Sequence, residues 1–283
     1  MTERLGDIGA RISGIRQLGV VVNAMRGIAA ARAQQARNQL TAVEGFSTTV
    51  ATAIARVSAL VSFGPPAKPG KPVRLALVLF FAEQGFAGAF SEHTLDAVGS
   101  DLKSAQLFLI GTRGTTVAAE RGVTGVWQGA MPSHSAGIPR LADRIAEAIY
   151  ARLATGEIEQ LDVVFSRWQL GHGTQIERRH LFPLDTTHFP PTGDSNSPLL
   201  NMMPNTLLGE LTADYVHAQL CAAALHAFAA ENEARMEAMA SARNEIERHL
   251  TGLQALQRVV RQEEITAEIV ELAAGEAASR MNF

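Results

Sequence analysis

The stretch that decides the fold lies near the C-terminus, where residues 231–278 read ENEARMEAMASARNEIERHLTGLQALQRVVRQEEITAEIVELAAGEAA. Apolar residues recur through it every seven positions, at Met239, Ile246, Leu253 and Val260. The same stripe is widened by Met236, Leu250 and Leu256. A seven-residue apolar period with charges between is typical of a long coiled-coil helix. Counted over residues 207–278, the predicted helix is about 105 Å long and needs a partner helix.

The partner helix is predicted at the other end of the chain. Eight apolar residues share the seven-residue spacing there: Ile8, Ile15, Val22, Ala29, Ala36, Val43, Val50 and Val57. This spacing predicts a left-handed coiled-coil helix from about Thr2 to about Val61. The prolines of Pro65-Pro66 and Pro69-Gly70 end it. Six glycines inside the helix indicate that packing holds it, because glycine has low helix propensity.

The two terminal segments carry opposite charge. Residues 1–63 contain seven arginines and three acidic residues, a net +4, and residues 205–283 contain six arginines and twelve acidic residues, a net −6. Opposite charges favour pairing of the two helices, although single exposed ion pairs contribute little. The alternative is that these are two ordinary solvated helix faces.

Composition limits the classes of function. The net charge of −3 and the pI near 6.3 do not indicate nucleic acid as a partner. The single cysteine, Cys221, suits a reducing compartment. The N-terminal sequence has no apolar region of a signal peptide, and no run is long enough to span a bilayer. We therefore expect no direct membrane insertion, and any membrane role has to go through partners.

The middle of the chain has the pattern of a separate α/β domain. The predicted strands are Val73–Ala82, Gln106–Ile110, Val123–Gln128, Leu161–Trp168 and an edge strand at Gln175–Leu184. The predicted helices are Ser91–Ser104, Thr115–Arg121 and the amphipathic Ile138–Ala154. Strands that alternate with helices predict a Rossmann-like, mainly parallel sheet.

The predicted fold class is therefore α/β. Residues 1–63 and 205–283 form an antiparallel coiled coil, and the α/β domain of residues 73–190 is inserted between them. Residues 186–204 are rich in proline, serine, asparagine and glycine, and predict a loop that leads back to the long helix.

Sequence motifs at both ends resemble one known family, the gamma subunits of rotary F-type ATP synthases. The N-terminal helix of that family carries I-x-S-x-x-N-T-x-K-I-T-K-A-M-x-M-V-A-A-S-K, which compares with residues 12–16 (ISGIR) and 21–32 (VVNAMRGIAAAR) here. The C-terminal helix carries A-R-M-x-A-M-x-x-A, R-Q-x-x-I-T-x-E and E-I-V, which compare with residues 234–242, 261–268 and 268–270. The order of parts covers nearly the whole chain.

The departures from the family pattern are local. Asn23 replaces a family lysine, residues 18–22 (LGVVV) replace a polar segment, and Arg258 replaces the asparagine before R-Q. At the start of the α/β domain only Gly85 and Gly88 of S-D-R-G-L-C-G remain. The chain resembles a divergent branch, such as the alternate ion-translocating ATPases that some bacteria carry as second copies.

The resemblance implies a role and a set of partners. The paired helices would form the central rotor shaft inside a ring of alpha and beta subunits, and the α/β domain would bind the epsilon subunit and the membrane c-subunit ring. The chain itself would be a non-catalytic subunit without cofactor or metal, because ATP is made or split on the beta subunits. It would lie peripherally at the cytoplasmic face of the bacterial plasma membrane.

The resemblance also implies which residues meet the ring. Met25 matches a shaft residue that faces the moving lever of beta, and Arg261 and Gln262 match a pair that hydrogen-bonds a beta loop. Arg26 and Arg32 would meet acidic lever residues, since arginine holds carboxylates well. An apolar shaft tip would turn in an apolar sleeve and consists of Ile265, Ile269, Val270 and Leu272. The alternatives are core packing for Met25, solvated faces for the arginines and a continued seam for the tip.

Other signals carry less weight. Residues 85–88 (GFAG) lack the G-x-G-x-x-G fingerprint and a Walker lysine, so we expect a tight turn rather than a nucleotide site. His172, His180 and His188 lack metal-ligand spacing. Ser91 is expected to cap a helix. Two rival functions share this outline: a Rossmann-like enzyme with a coiled-coil dimerisation arm, and a coiled-coil scaffold protein.

Overall fold

A computed structural model describes residues 5–61, 73–185, 189 and 199–281. The predicted helix start at Thr2, the prolines that follow the first helix, most of the predicted 186–204 loop and the terminal Phe283 lie outside the described residues. The chain divides into two units. The helix-pair unit comprises residues 1–28 and 236–283, and the sheet unit comprises residues 29–235.

Five α-helices are described, and the first and last belong partly to each unit. Their bounds are α1 Leu5–Ser58, α2 Phe90–Val98, α3 Thr112–Glu120, α4 Ile138–Ala154 and α5 Pro204–Met281. Short 3₁₀ helices cover Gly99–Lys103 and Ser135–Gly137. Along the described stretches, no helix combines the length and apolar character that crossing a membrane requires.

The described strands form one five-stranded sheet. Their bounds are β1 Leu75–Phe80, β2 Gln106–Ile110, β3 Trp127–Gly129, β4 Gln160–Gln169 and β5 Gly173–Phe182. The spatial order is β3-β2-β1-β4-β5. The first four strands are parallel, and β5 pairs antiparallel with β4 at one edge.

The sheet is covered on both faces. On one face, alternate strand residues such as Val78, Phe108 and Val163 pack against α4 and the alanine-rich part of α5. On the other face, residues such as Leu79 and Leu109 pack against α2 and α3. Because both faces are buried, the strands are continuous apolar runs rather than alternating ones.

Antiparallel pairing of α1 with α5 is seen within each unit. In the helix-pair unit, Gly9 faces Gln257 and Gly19 faces Ile246, so the numbers fall on one helix as they rise on the other. In the sheet unit, the Gln219 amide donates to the Ser47 hydroxyl over 2.6 Å, and Arg37 pairs with Glu233. The predicted fold class, paired terminal helices with an inserted, mainly parallel α/β domain, is confirmed.

Several local predictions were wrong. The helix predicted over 91–104 is α-helical only to Val98, and Ser91 lies inside it, where its hydroxyl accepts the Ala82 N–H. The third strand is shorter and later than predicted. Leu256 does not widen the buried stripe, because it is 40% exposed.

The predicted start of α3 was three residues late. The helix begins at Thr112, because the Glu83 carboxylate accepts the Thr112 N–H over 2.9 Å and satisfies one of the donors that a helix start leaves open.

Candidate functional surfaces

The seven-residue seam faces inward in each unit. In the helix-pair unit, Ile8, Val22, Met239, Leu253 and Val260 are buried, and Ile15 and Ile246 are half-buried. Ile8 and Ile12 form an apolar cluster with Leu253 and Val260. In the sheet unit, Ala29, Ala36, Val50 and Val57 are buried, and Val43 is half-buried. The outward faces of both helices are therefore the surfaces left for partners.

A second apolar stripe lies beside the seam on α1. Three residues of this stripe are each more than half exposed: Leu18, Val21 and Ile28. The half-buried Met25 lies on the same side of the helix, within the arc that these three span. At about 100° per residue these four positions lie roughly 40 to 120° around the helix from Val22. The stripe includes part of the segment that is apolar here and polar in the family pattern.

The two predicted arginines of α1 have different surroundings. Arg26 is exposed. Arg32 is partly buried in the sheet unit, and its guanidinium donates a long hydrogen bond of 3.5 Å to the Gln84 side chain.

Arg261 and Gln262 begin a fully exposed part of α5. Every residue from 261 to 277 is exposed. The Gln262 backbone carbonyl accepts the Thr266 hydroxyl over 2.8 Å. Both side chains are accessible to a partner subunit.

The predicted tip residues do not continue the seam. Ile265, Ile269 and Leu272 are 49%, 61% and 75% exposed. Counting at about 100° per residue from the buried Val260, they lie roughly 120 to 180° away around the helix. Glu264, Glu268 and Glu271 lie on the adjoining face. Ile265, Ile269 and Leu272 thus form an apolar side turned away from the seam direction, whereas Val270, which is 62% exposed, lies about 80° from Val260 on the other side of the helix.

A buried charged cluster was missed by the sequence analysis. Glu231, Asn232 and Arg235 on α5 are all at least 95% buried, and Glu231 and Arg235 form an ion pair one turn apart. The Glu231 carboxylate also accepts the backbone N–H groups of Glu83 and Gln84 over 3.2 and 3.1 Å.

The Arg235 guanidinium completes the cluster. It donates to the Gly85 carbonyl over 3.2 Å, to the Gln84 carbonyl over 3.5 Å and to the Asn232 side chain over 3.0 Å. A buried arginine is costly unless its donors are used. The sequence does show an acidic residue, Glu231, one turn before the arginine of the Ala-Arg-Met motif. The carbonyl groups that Arg235 binds, however, lie about 150 residues away in sequence.

A second missed residue, Glu83, links the ends of three strands. It follows β1, and its carboxylate accepts the Thr112 N–H and hydroxyl after β2 and the Met131 N–H after β3, over 2.8 to 2.9 Å. The following turn has Phe86 and Gly88 at φ values of 62° and 61°. Residues 83–88 are therefore held from both sides, by the sheet and by α5.

The histidines take structural contacts where they are described. His172 is exposed in the β4–β5 turn, and His188 lies outside the described residues. His180 contacts the buried Asp162 over 2.8 Å. Although burial alone would raise it, hydrogen bonds from His180, Gln160 and Arg178 lower the pKa of Asp162. Within the described ranges, no cluster of three metal-ligating side chains is found.

One apolar cavity of the sheet unit lies away from the strand ends at which α/β enzymes bind their ligands. It has a volume of about 330 Å³ and is lined mainly by apolar residues, including Ile54, Phe182 and Leu208. Phe182 pairs with Leu161 at the start of β4, so this is the amino end of the parallel strands. Ligands of open α/β sheets bind at the carboxyl ends.

Comparison with known families gives one match over almost the whole chain. A family model described as ATP synthase matches residues 4–278. The chain is 28% identical over 292 aligned positions to the "ATP synthase gamma chain" of Frankia casuarinae, with 97% of each protein covered. It is 28% identical to the protein of the same name from Acidothermus cellulolyticus, covering 94% of this chain and 93% of that one.

Solved structures show the same fold. A chain in the OSCP/F1/c-ring part of Euglena gracilis mitochondrial ATP synthase has a TM-score of 0.62, with 12% identity, 97% of this chain covered and 94% of that one. A chain in the rotor of the same enzyme has a TM-score of 0.61 with 10% identity. The match covers 92% of this chain and 98% of the rotor chain.

Proposed function

This chain belongs to the ATP synthase gamma-chain family, and we propose that it is the central rotor shaft that couples transmembrane ion flow to ATP synthesis or hydrolysis on the beta subunits. The observation that carries the proposal is the family match over residues 4–278, together with terminal helices that pair around an inserted sheet. As a gamma chain it is a non-catalytic subunit.

The mechanism requires a shaft whose surface differs in chemical character from one side to another. A beta subunit changes its affinity for nucleotide only as far as the shaft contacts its conformations differently. The outward faces supply that difference: an apolar stripe lies beside the seam on α1, and acidic and apolar faces adjoin on the last turns of α5. Rotation would present these faces to the three beta subunits in turn.

The partners are the alpha and beta subunits, the epsilon subunit and the c-subunit ring. Two structural matches support this set of partners. One chain belongs to the Euglena assembly named OSCP/F1/c-ring, and the other belongs to the rotor of the same enzyme. The curated relatives are bacterial, which supports a peripheral position at the cytoplasmic face of the plasma membrane.

The residues that pass torque to beta are those with accessible outward faces. Met25 lies on the exposed stripe of α1, Arg26 is exposed on the other side of Val22, and Arg32 lies one to two turns further along. Arg261 and Gln262 offer a guanidinium fork and an amide at the start of the exposed segment of α5. Ile265, Ile269, Val270 and Leu272 form the tip that turns in an apolar sleeve.

The test has two parts: assembly of the chain with alpha and beta subunits, and loss of coupled ATP hydrolysis in a variant of the proposed contact residues. The chain is expected to co-purify with alpha and beta subunits, and Arg261→Ala with Gln262→Ala should lower coupled ATP hydrolysis about tenfold or more, because hydrogen bonds to charged groups contribute about 1.5–3 kcal/mol each. The matched control is Arg243→Ala with Asn244→Ala, an exposed Arg-amide pair on the same helix.

Two results would contradict parts of this proposal. Coupled hydrolysis retained by the Arg261/Gln262 variant would remove those two residues from the torque path. A purified chain that self-associates or acts alone on nucleotide, and does not bind alpha and beta, would contradict the shaft function itself.

A further inference from the structure

We propose that Glu231 and Arg235 form a torque clamp that locks α5 to the α/β sheet against twisting. The inference rests on the proposed shaft function, because only a rotating shaft needs its globular part to turn with it. The clamp consists of Glu231, Asn232 and Arg235 on α5 together with the turn at residues 83–85. All of these residues belong to the sheet unit.

Hydrogen bonds of the clamp run in both directions between α5 and the turn. Glu231 receives two backbone N–H groups from the turn, and Arg235 donates to two of its carbonyls. Hydrogen bonds weaken steeply when their angle changes, so a set of four on one short turn resists rotation of the helix about its axis. Burial of Glu231 and Arg235 strengthens this effect, since their charged groups depend on these hydrogen bonds.

Apolar packing around this part of α5 is poorly suited to the same task. The buried stretch before the clamp is dominated by small side chains, including Ala222, Ala223, Ala224, Ala227 and Ala230. Burial of apolar surface is non-directional, and small side chains interdigitate less than large ones. The polar contacts therefore add a directional restraint to the packing of the few large apolar residues of this stretch, Leu220, Leu225 and Phe228.

Glu83 carries the clamp further into the sheet. The turn that α5 holds through its backbone holds β2 and β3 through the Glu83 carboxylate, which accepts from Thr112 and Met131. A twist of α5 at Glu231 is therefore passed to the carboxyl ends of three parallel strands. The path consists of backbone groups, the buried Glu231 carboxylate and the half-buried Glu83 carboxylate.

A second polar attachment lies nearer the N-terminus of the same helix. The Gln219 side chain donates to Ser47 on α1 and accepts from Arg179 on β5 over 2.7 Å. Gln219 and Glu231 are twelve residues apart, or about 18 Å along the helix. Separated attachments hold a rod against both twist and tilt, and removal of the clamp leaves the attachment at Gln219 together with the ion pairs of His217 and Glu233.

The experiment measures torsional stiffness in the assembled enzyme. Alpha and beta subunits are immobilised, and a bead is attached to the sheet unit through Leu170→Cys, which lies in the exposed β4–β5 turn. The clamp variant is Glu231→Gln with Arg235→Met. The matched control is Glu247→Gln with Arg243→Met, which removes an exposed Arg–Glu pair with the same one-turn spacing on the same helix.

We expect the thermal angular variance of the bead to rise by up to about twofold in the clamp variant, because the buried attachment of α5 to the 83–85 turn is lost, and to stay at the wild-type value in the control. ATP hydrolysis at low load should be unchanged, whereas ATP-driven ion pumping against a gradient should fall. A purely structural role would not separate these two rates. Wild-type variance in an assembled clamp variant would overturn the proposal.

A milder substitution covers the case in which the double variant does not accumulate. Arg235→Lys keeps the charge and loses the guanidinium fork, and it should give an intermediate angular variance. Unchanged variance in Arg235→Lys would also overturn the clamp. If the wild-type chain forms no rotating complex with alpha and beta, the shaft function fails and the clamp fails with it.

Discussion

Two segments of α5 have opposite environments although they belong to one helix. Residues 218–233 are buried at every position, and residues 261–277 are exposed at every position. The first segment lies between α1 and the sheet within the sheet unit, so even its polar residues, such as His226 and Glu231, are enclosed. The second has its apolar and acidic residues open to solvent.

The difference shows that helical propensity and burial are separate properties of a sequence. The buried segment is rich in alanine, which allows close approach of neighbours on all sides, whereas the exposed one carries glutamates between larger apolar residues. Most helical stability in proteins comes from packing. A long exposed segment with an apolar side therefore indicates a surface completed by another subunit.

The largest expected contrast comes from one substitution made in both segments. Leu220→Ala should destabilise the sheet unit by about 2–5 kcal/mol, because it removes a fully buried side chain, whereas Leu272→Ala should change its stability by less than about 0.5 kcal/mol. Denaturant unfolding followed by tryptophan fluorescence measures this, since Trp127 and Trp168 both lie in the sheet unit. Equal losses for the two variants would contradict the contrast.

Cysteine reactivity gives a second contrast. Burial raises the pKa of Cys221 to about 12, with a further contribution from Asp143. At pH 8 its thiolate fraction is about 10⁻⁴, so alkylation should be at least about 100-fold slower than at a cysteine introduced by Val270→Cys. Timed labelling and mass spectrometry measure the ratio. In denaturant the two thiols should react at similar rates, which serves as the control.

The smallest expected effect concerns pH. Burial lowers the pKa of His226, with Arg167 and Arg179 adding to the decrease and Glu44 and Glu177 opposing it. Below pH about 6.5 the unfolded chain binds a proton that the folded chain does not, so stability is full above that pH and falls on acidification.

The variant His226→Phe tests this, because phenylalanine keeps the ring that stacks on Phe165 and cannot take up a proton. It should lose less stability than the wild type between pH 7 and pH 5, by roughly 1 kcal/mol or less. Denaturant unfolding at the two pH values gives the difference. Identical losses would show that His226 is not the group responsible.

The parts of the fold with regular apolar patterns were predictable from sequence. β2 and α4 have the predicted bounds, because a short continuous apolar run and a clear amphipathic period leave little choice. The seven-residue seam likewise follows from spacing alone. The antiparallel edge strand was expected as an edge, but its direction depends on the tight turn after Gln169.

The details that depend on distant partners were not predictable. The start of α3 is fixed by Glu83, 29 residues earlier, and the buried position of Arg235 is fixed by carbonyls about 150 residues earlier. These features arise from tertiary contacts rather than local preference.

The position of Glu83 has a consequence for anion binding at this end of the sheet. Its carboxylate occupies the first N–H of α3, the kind of helix end that receives a phosphate in nucleotide-binding α/β proteins. The anion at this end of the sheet is thus built into the polypeptide and permanent. This helix end is therefore already occupied by a side chain of the same polypeptide, which suits a component that turns as one piece.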